Sequence, residues 1–300
     1  MSSIMGQITV CICTYKRPLP LERLLNSLGD QDTHGLFTYS VVVVDNDELR
    51  SAEAVVTDAA RTMPVEIKYC VEAKRGIAHA RNKALENAHT DFIAFIDDDE
   101  FPTNQWLFHL FQTCEKYQVD GVLGPVRRHF DEEPPKWIRR GEFFNRPSHP
   151  TGFILHWSQT RTGNVLFRRH VLPLDSLVFR AEFRAGSDVD FFKRVMAKGY
   201  VFVWCDEAFV HETIPPARWT RKYILRKALL RGRGAALRRD GALVTIKSLI
   251  AVPVYTVALP VAFAWGHHRF MLLLMKICDH LGKILTLVGV NPIKDVYVTE

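Results

Sequence analysis

Two kinds of hydrophobic pattern alternate through the first half of the chain. Short apolar, β-rich runs occur at "QITVCICTY", ending near Thr14, and at "YSVVVVDND", "VEIKYCVEA" and "DFIAFIDDDE". Between them apolar residues return at helical spacing. Leu21, Leu24, Leu25 and Leu28 do so in "PLPLERLLNSLGDQ", with Gly29 as a stop, and "AEAVVTDAART" and "GIAHARNKALENAH" read as two further helices. The valine run has no polar alternation, as expected of a parallel strand buried on both faces. Strand-helix repetition of this kind predicts right-handed crossovers and an α/β fold, a mostly parallel, Rossmann-like sheet with flanking helices.

The pattern is less regular over about 120–185. "HFDEEPPKWIRRGEFFNRPSHP" is rich in Pro, Arg and aromatics, as in a long functional loop. "GSDVDFFKRVMAKGY" predicts a helix with Asp188 and Asp190 near its start, where the helix dipole favours anions. "VFVWCDEAFVHE" predicts a late strand or strand pair ending at His211. From about Pro215 the character changes. "ARWTRKYILRKALLRGRGAALRR", including Arg238 and Arg239, reads as a basic amphipathic helix. "SLIAVPVYTVALPVAFAWG" is then uncharged and near bilayer-spanning length, but carries Pro253 and Pro260. A second apolar stretch, "RFMLLLMKICDHLGKILTLVGV", is interrupted by Lys276, Asp279 and Lys283. A hairpin lying in or dipping into one leaflet fits both stretches better than two clean spans. The expected division is 1–214 as one α/β domain and 215–300 as a basic, apolar, membrane-associating tail.

Composition adds three points. The 300 residues are 47% hydrophobic and 24% charged, which is globular and excludes a disordered chain. The formal net charge of +6 admits a polyanionic or membrane-surface partner. Six scattered cysteines, without zinc-like pairing, are expected as buried, reduced thiols in a cytoplasmic protein. The N-terminus lacks a long apolar stretch, so no secretory signal is expected.

The chemistry concentrates at strand ends. Strand one ends in "TYKRP", strand two in Asp45-Asn46-Asp47, and strand four in Asp97-Asp98-Asp99-Glu100. Ligands of parallel sheets bind at such carboxyl ends. Four consecutive acids after an apolar run therefore read as a cation site rather than a solvated turn. Asp97-Asp98-Asp99 is a D-x-D, the arrangement by which one or two carboxylates and phosphate oxygens share a hard divalent ion. Strand one lacks a G-x-G-x-x-G loop, which argues against a dinucleotide oxidoreductase.

Taken in order, "VCICTYKRP", "VVVVDND", "GIAHARNKAL", "FIAFIDDDEFP", "RTGNVLFRR", "GSDVDFF" and "VHE" resemble the GT-A, family 2 inverting glycosyltransferases over about residues 7–212. Within them the chain is most similar to bacterial exopolysaccharide enzymes of the succinoglycan type. The resemblance implies a nucleotide-diphosphate sugar donor, most simply a UDP-hexose. Thr14, Tyr15, Arg17, Asp45, Arg81, Asp97 and Asp98 would border the nucleotide, with Asp45 at the base and Asp97 toward the ribose. Asp99 and His211 would meet Mg²⁺ or Mn²⁺. Asn164 and Trp157 would face the acceptor. Asp188 matches the catalytic base, although Ser187 stands where the family more often has Glu. Asp190 is the alternative base, two residues on.

A carboxylate base within about 3 Å of an acceptor hydroxyl supports a single displacement with inversion. The expected acceptor is a lipid-linked glycan at the cytoplasmic face of the inner membrane, with an anionic membrane surface as a partner and no nucleic acid. Two alternatives remain at this point: a synthase that charges polyprenyl phosphate with one sugar, and a non-catalytic sugar-nucleotide-binding relative.

Overall fold

The computed structural model describes residues 6–173, 178–182, 186–236, 241–291 and 293, with 241–245 as backbone only. Arg238 and Arg239 of the predicted basic helix lie outside these residues. The chain divides into two compact units, Met1–Arg127 with Arg146–Glu212, and Arg128–Asn145 with Thr213–Glu300. Segment 128–145, which the sequence reading places within the first domain, packs with the second unit.

In the first unit, β1 (Gly6–Thr14), β2 (Phe37–Asp45), β3 (Ile67–Val71) and β4 (Phe92–Asp97) alternate with α1 (Pro18–Gly29), α2 (Glu53–Thr62) and α3 (Ile77–Glu86). Then come β5 (Glu100–Pro102), α4 (Trp106–Tyr117), β6 (Gly121–Leu123) and β7 (Val126–His129), on which the chain leaves for the second unit and its helix α5 (Lys136–Gly141). It returns to form β8 (Val165–Arg168), α6 (Ser187–Ala197), β9 (Phe202–Trp204) and β10 (Val210–Thr213). The main sheet has seven strands in the order β3-β2-β1-β4-β8-β6-β9. All pairings are parallel except those of β8, which is antiparallel to both β4 and β6.

The valine run behaves as its pattern predicts. Val41 and Val43 enter the core under α1, α2 and α4, while Val42 and Val44 enter the core under α3 and α6. Leu21, Leu24, Leu25 and Leu28 are wholly buried. Because β1, β2 and β4 are parallel, Thr14, Asp45 and Asp97 emerge at one sheet edge, with Thr14 in register with Asp45 and Cys13 with Asp97. The six cysteines are free thiols, and burial pushes Cys114 up to about 12 and Cys205 up to about 11.

The second unit is helical: α5, α7 (Arg221–Ala236), α8 (Gly241–Ala264) and α9 (His267–Leu287). Helices α7 and α9 cross with their backbones in contact. A Cβ on Gly232 would stand 2.0 Å from the Asp279 carbonyl oxygen, and one on Gly282 would stand 2.3 Å from that of Leu229. Arg231 forks onto Asp279 beside this crossing, with nitrogen-oxygen distances of 2.9–3.1 Å.

Candidate active site

The acid cluster is not a solvated turn. Asp98 and Glu100 are buried, and Asp99 keeps only 16% side-chain exposure. Asp98 accepts from Thr14 Oγ1 at 2.8 Å and from Arg17 at 3.1 Å, and Arg17 reaches Asp99 at 3.3 Å. The end of β1 is thereby fastened to the end of β4. Burial lifts the Asp98 carboxyl to about 6, against the pull of Arg17. Burial also raises Asp97, with Arg81 opposing and Asp99 adding to the rise.

Behind Asp97 lies a charged network that the sequence reading missed. Glu100 is raised well above the ordinary carboxylate range by burial and by Asp97, with Arg146 opposing. Arg146 pairs with Glu212, which stands opposite Glu100 in the antiparallel β5-β10 pair. Arg161 joins them, held down to about 10 by burial and by Arg146. Gly163 closes the network from below. A Cβ there would stand 2.8 Å from Asp97 Oδ2 and 3.0 Å from Glu100 Oε1, so only glycine fits without moving a carboxylate. Arg161 and Gly163 stand inside the quoted "RTGNVLFRR". Arg146, in an aperiodic stretch, carried no signal.

Asp188 lies in the first turn of α6. The N-cap is Gly186, at φ 89°, so Asp188 is not the cap. The half-buried Asp188 carboxylate accepts one hydrogen bond among the described residues, from Val189 N–H at 2.9 Å. Asp190 is instead committed to Arg194 at 2.8 Å, with Arg180 at 3.8 Å. Arg81 links the two halves of the site. It donates to Ser187 Oγ at 3.4 Å, and its charge acts on Asp97.

Other expected site residues are placed less simply. Tyr15 lies beneath Lys16 and Arg75, whose charges stand 5.4 and 4.9 Å from its ring centre. The Asp45 carboxylate is fully buried and accepts from Asp47 N–H, Ala52 N–H and the Tyr69 hydroxyl at 2.8–3.0 Å. His211 stacks on Phe101, with ring centres 5.2 Å apart. Trp157 sits beside α6 under the Lys193 ammonium, 5.2 Å from the ring centre.

Asn164 departs from its expected acceptor role. It is wholly buried, accepts from Trp106 Nε1 at 2.7 Å, and donates to the Pro125 and Ala208 carbonyls at 2.9 and 2.7 Å. Every polar atom of its amide is used inside the core, which leaves none for a substrate.

The carboxylates fit a hard divalent ion by donor type. Among the described residues no group of three or more His, Cys, Asp or Glu gathers as a metal cage.

The fold is a mostly parallel α/β sheet with a buried acid cluster at its strand ends. The family model "Glycosyl transferase family 2" matches residues 9–172, and the chain belongs to that family. It is 33% identical over 303 residues, 96% of this chain and 94% of the relative, to the succinoglycan biosynthesis protein ExoM of Rhizobium meliloti (strain 1021). A teichoic acid poly(glycerol phosphate) polymerase of Staphylococcus epidermidis is 24% identical over 62% of this chain and 25% of its own length. Among solved structures, the mannosyltransferase PcManGT of Pyrobaculum calidifontis, in complex with GDP-Man and Mn²⁺, superposes with a TM-score of 0.63 at 19% identity, covering 94% of this chain and 88% of that one. Residues 1–349 of S. aureus TarS, in complex with UDP, superpose with a TM-score of 0.56 at 18% identity, covering 97% and 94%. The GT-A architecture expected from the motif order is therefore the observed one.

Proposed function

We propose that this glycosyltransferase moves a sugar, with inversion, from a nucleotide-diphosphate sugar to a hydroxyl of a lipid-linked glycan in exopolysaccharide or surface-glycan synthesis. The observation that carries the reading is the placement of Asp188. A half-buried carboxylate with one hydrogen bond stands on the helix that Arg81 ties to the strand-end acid cluster. The similarity to ExoM supports the pathway class, and the UDP and GDP-Man complexes of the structural neighbours support the donor class.

Each residue then has a task. Asp188 takes the proton from the acceptor hydroxyl as the new bond forms, while Asp190 stays neutralised by its arginines. Thr14, Tyr15, Arg17, Asp45, Arg81, Asp97 and Asp98 form the nucleotide side, with Asp45 and Asp98 shaping its loops through their internal hydrogen bonds. Trp157 offers an aromatic face to the acceptor. Asp99, with His211 as second ligand, would hold Mg²⁺ or Mn²⁺, which when bound supplies Lewis-acid stabilisation of the diphosphate leaving group. Residues 1–127 and 146–212 form the catalytic domain, and the C-terminal tail keeps it on the anionic cytoplasmic face of the inner membrane.

The test is a donor screen with full-length protein and bacterial membrane lipid as acceptor. Transfer of a hexose from a UDP-sugar into the organic phase supports the reading. Transfer from no nucleotide sugar, with the donors bound, indicates the non-catalytic alternative.

A further inference from the structure

Helix α8 is built inside out for a helix in water. Its outward side presents Ile246, Leu249, Ile250, Val254, Val257 and Val261, all more than half exposed, with Val257 at 79%. Its polar contact points inward, where Ser248 pairs with His280 of α9 at 2.9 Å. The apolar stretch Ile246–Ala264 has a mean hydropathy of 1.8 and only 6% of it is buried. Nineteen residues at 1.5 Å per residue approach the roughly 30 Å of a hydrocarbon core, so length alone allows a crossing.

Two features oppose a crossing. First, α9 runs back along α8: Phe270 meets Phe263 near the turn, the Lys276 ammonium lies 5.6 Å from the Tyr255 ring centre, and His280 meets Ser248. Tyr255 is at the middle of the apolar stretch. A crossing α8 would therefore carry exposed Lys276, and Asp279 with its partner Arg231, to mid-bilayer. Second, Pro253 and Pro260 lie inside the helix, so the carbonyls four residues before them, at Leu249 and Thr256, lose their helical donors. The seven-residue spacing puts both carbonyls on one flank, beside exposed Thr256. Hydrocarbon offers them no donor, whereas the headgroup layer does.

We propose that α8 lies in the plane of an anionic bilayer, its Val257 face just below the headgroups and its Leu249/Thr256 flank at their level, with α9 above it as the water-facing strut. The inference rests on the membrane reading of the tail and adds its orientation. Charge selects the partner. Residues 213–300 hold fourteen Lys and Arg against four Asp and Glu, so the whole positive excess of the chain lies here. Such a platform would present the catalytic domain to headgroup-level acceptors without a spanning anchor.

The experiment uses full-length protein with the partly exposed Cys13, Cys70 and Cys278 replaced by Ser and with Val257→Cys carrying a nitroxide, bound to vesicles of phosphatidylcholine with about 30% phosphatidylglycerol as a choice of roughly physiological charge. Depth is read from the relative relaxation by oxygen and by a water-soluble chromium complex. In-plane binding predicts a label about 5–10 Å below the phosphates. A label at the bilayer centre overturns the orientation while keeping the membrane reading. A protein that ignores the vesicles and sediments as a detergent-free dimer overturns both. Val257→Asp separates the cases further: it weakens vesicle binding at least tenfold if the face is inserted, and leaves it unchanged if the face points to water.

Discussion

Asn164→Ala tests whether this residue serves the core or the substrate. The substitution orphans the Trp106 indole N–H and the Ala208 carbonyl, which have no other hydrogen-bond partner among the described residues. The Pro125 carbonyl keeps its bond from Val210 N–H. Two buried orphans at about 1–3 kcal/mol each, plus one lost bond of about 1 kcal/mol, give roughly 3–7 kcal/mol. Water entering the vacated space offsets part of this, so about 3–4 kcal/mol is expected. Asn164 also has φ 59°, a conformation that costs alanine about 1 kcal/mol more than glycine. Asn164→Gly should therefore recover about 1 kcal/mol. The assay is urea unfolding followed by tryptophan fluorescence. With a slope of about 2–3 kcal/mol/M, the midpoint should fall by about 1–2 M. A midpoint unchanged by Asn164→Ala, together with lost transfer, would refute the reasoning and return Asn164 to the acceptor.

Three further outcomes are expected. Gly163→Ala should leave the unfolding free energy within about 1 kcal/mol of the parent but cut kcat/KM about tenfold or more, because the new Cβ displaces the Asp97 carboxylate; unchanged kinetics would separate that carboxylate from the chemistry. Chelation should abolish transfer and restoring Mn²⁺ should recover it, while Asp99→Ala should lose nearly all turnover with its circular dichroism unchanged; full turnover in chelator would remove the metal assignment. Cys114 and Cys205, raised to about 12 and about 11 by burial, carry almost no thiolate at pH 8 and should react with a disulfide reagent only after unfolding; fast labelling of either in the native protein would contradict their placement.

The elements legible in the sequence were those whose pattern is local. The leucines of α1, the valines of β2 and the strand-end polar residues each state their own role through spacing. The same rule would have found α4, where Trp106, Leu107, Leu110, Phe111 and Cys114 repeat at helical spacing and are all buried. Strand β8 differs. "VLF" reads as a strand, but nothing within it says that it runs antiparallel between β4 and β6. The acceptor role of Asn164 came from the resemblance rather than from any local pattern, and only the converging Trp106, Pro125 and Ala208 groups show it to be a core fastener. Arg146 was invisible for the same reason, since its meaning comes from Glu212, sixty-six residues away.

The central claim is that Asp188 takes the acceptor proton in a sugar-transfer reaction. Asp188→Asn keeps the size and the helix start but removes the base. Calorimetric binding of the nucleotide-sugar donor and single-turnover transfer, measured on this variant and the parent, test the claim together. The account predicts unchanged donor affinity and a transfer rate lower by about 10²–10⁴-fold. Transfer at the parental rate would contradict it, and the base would have to be sought among other residues.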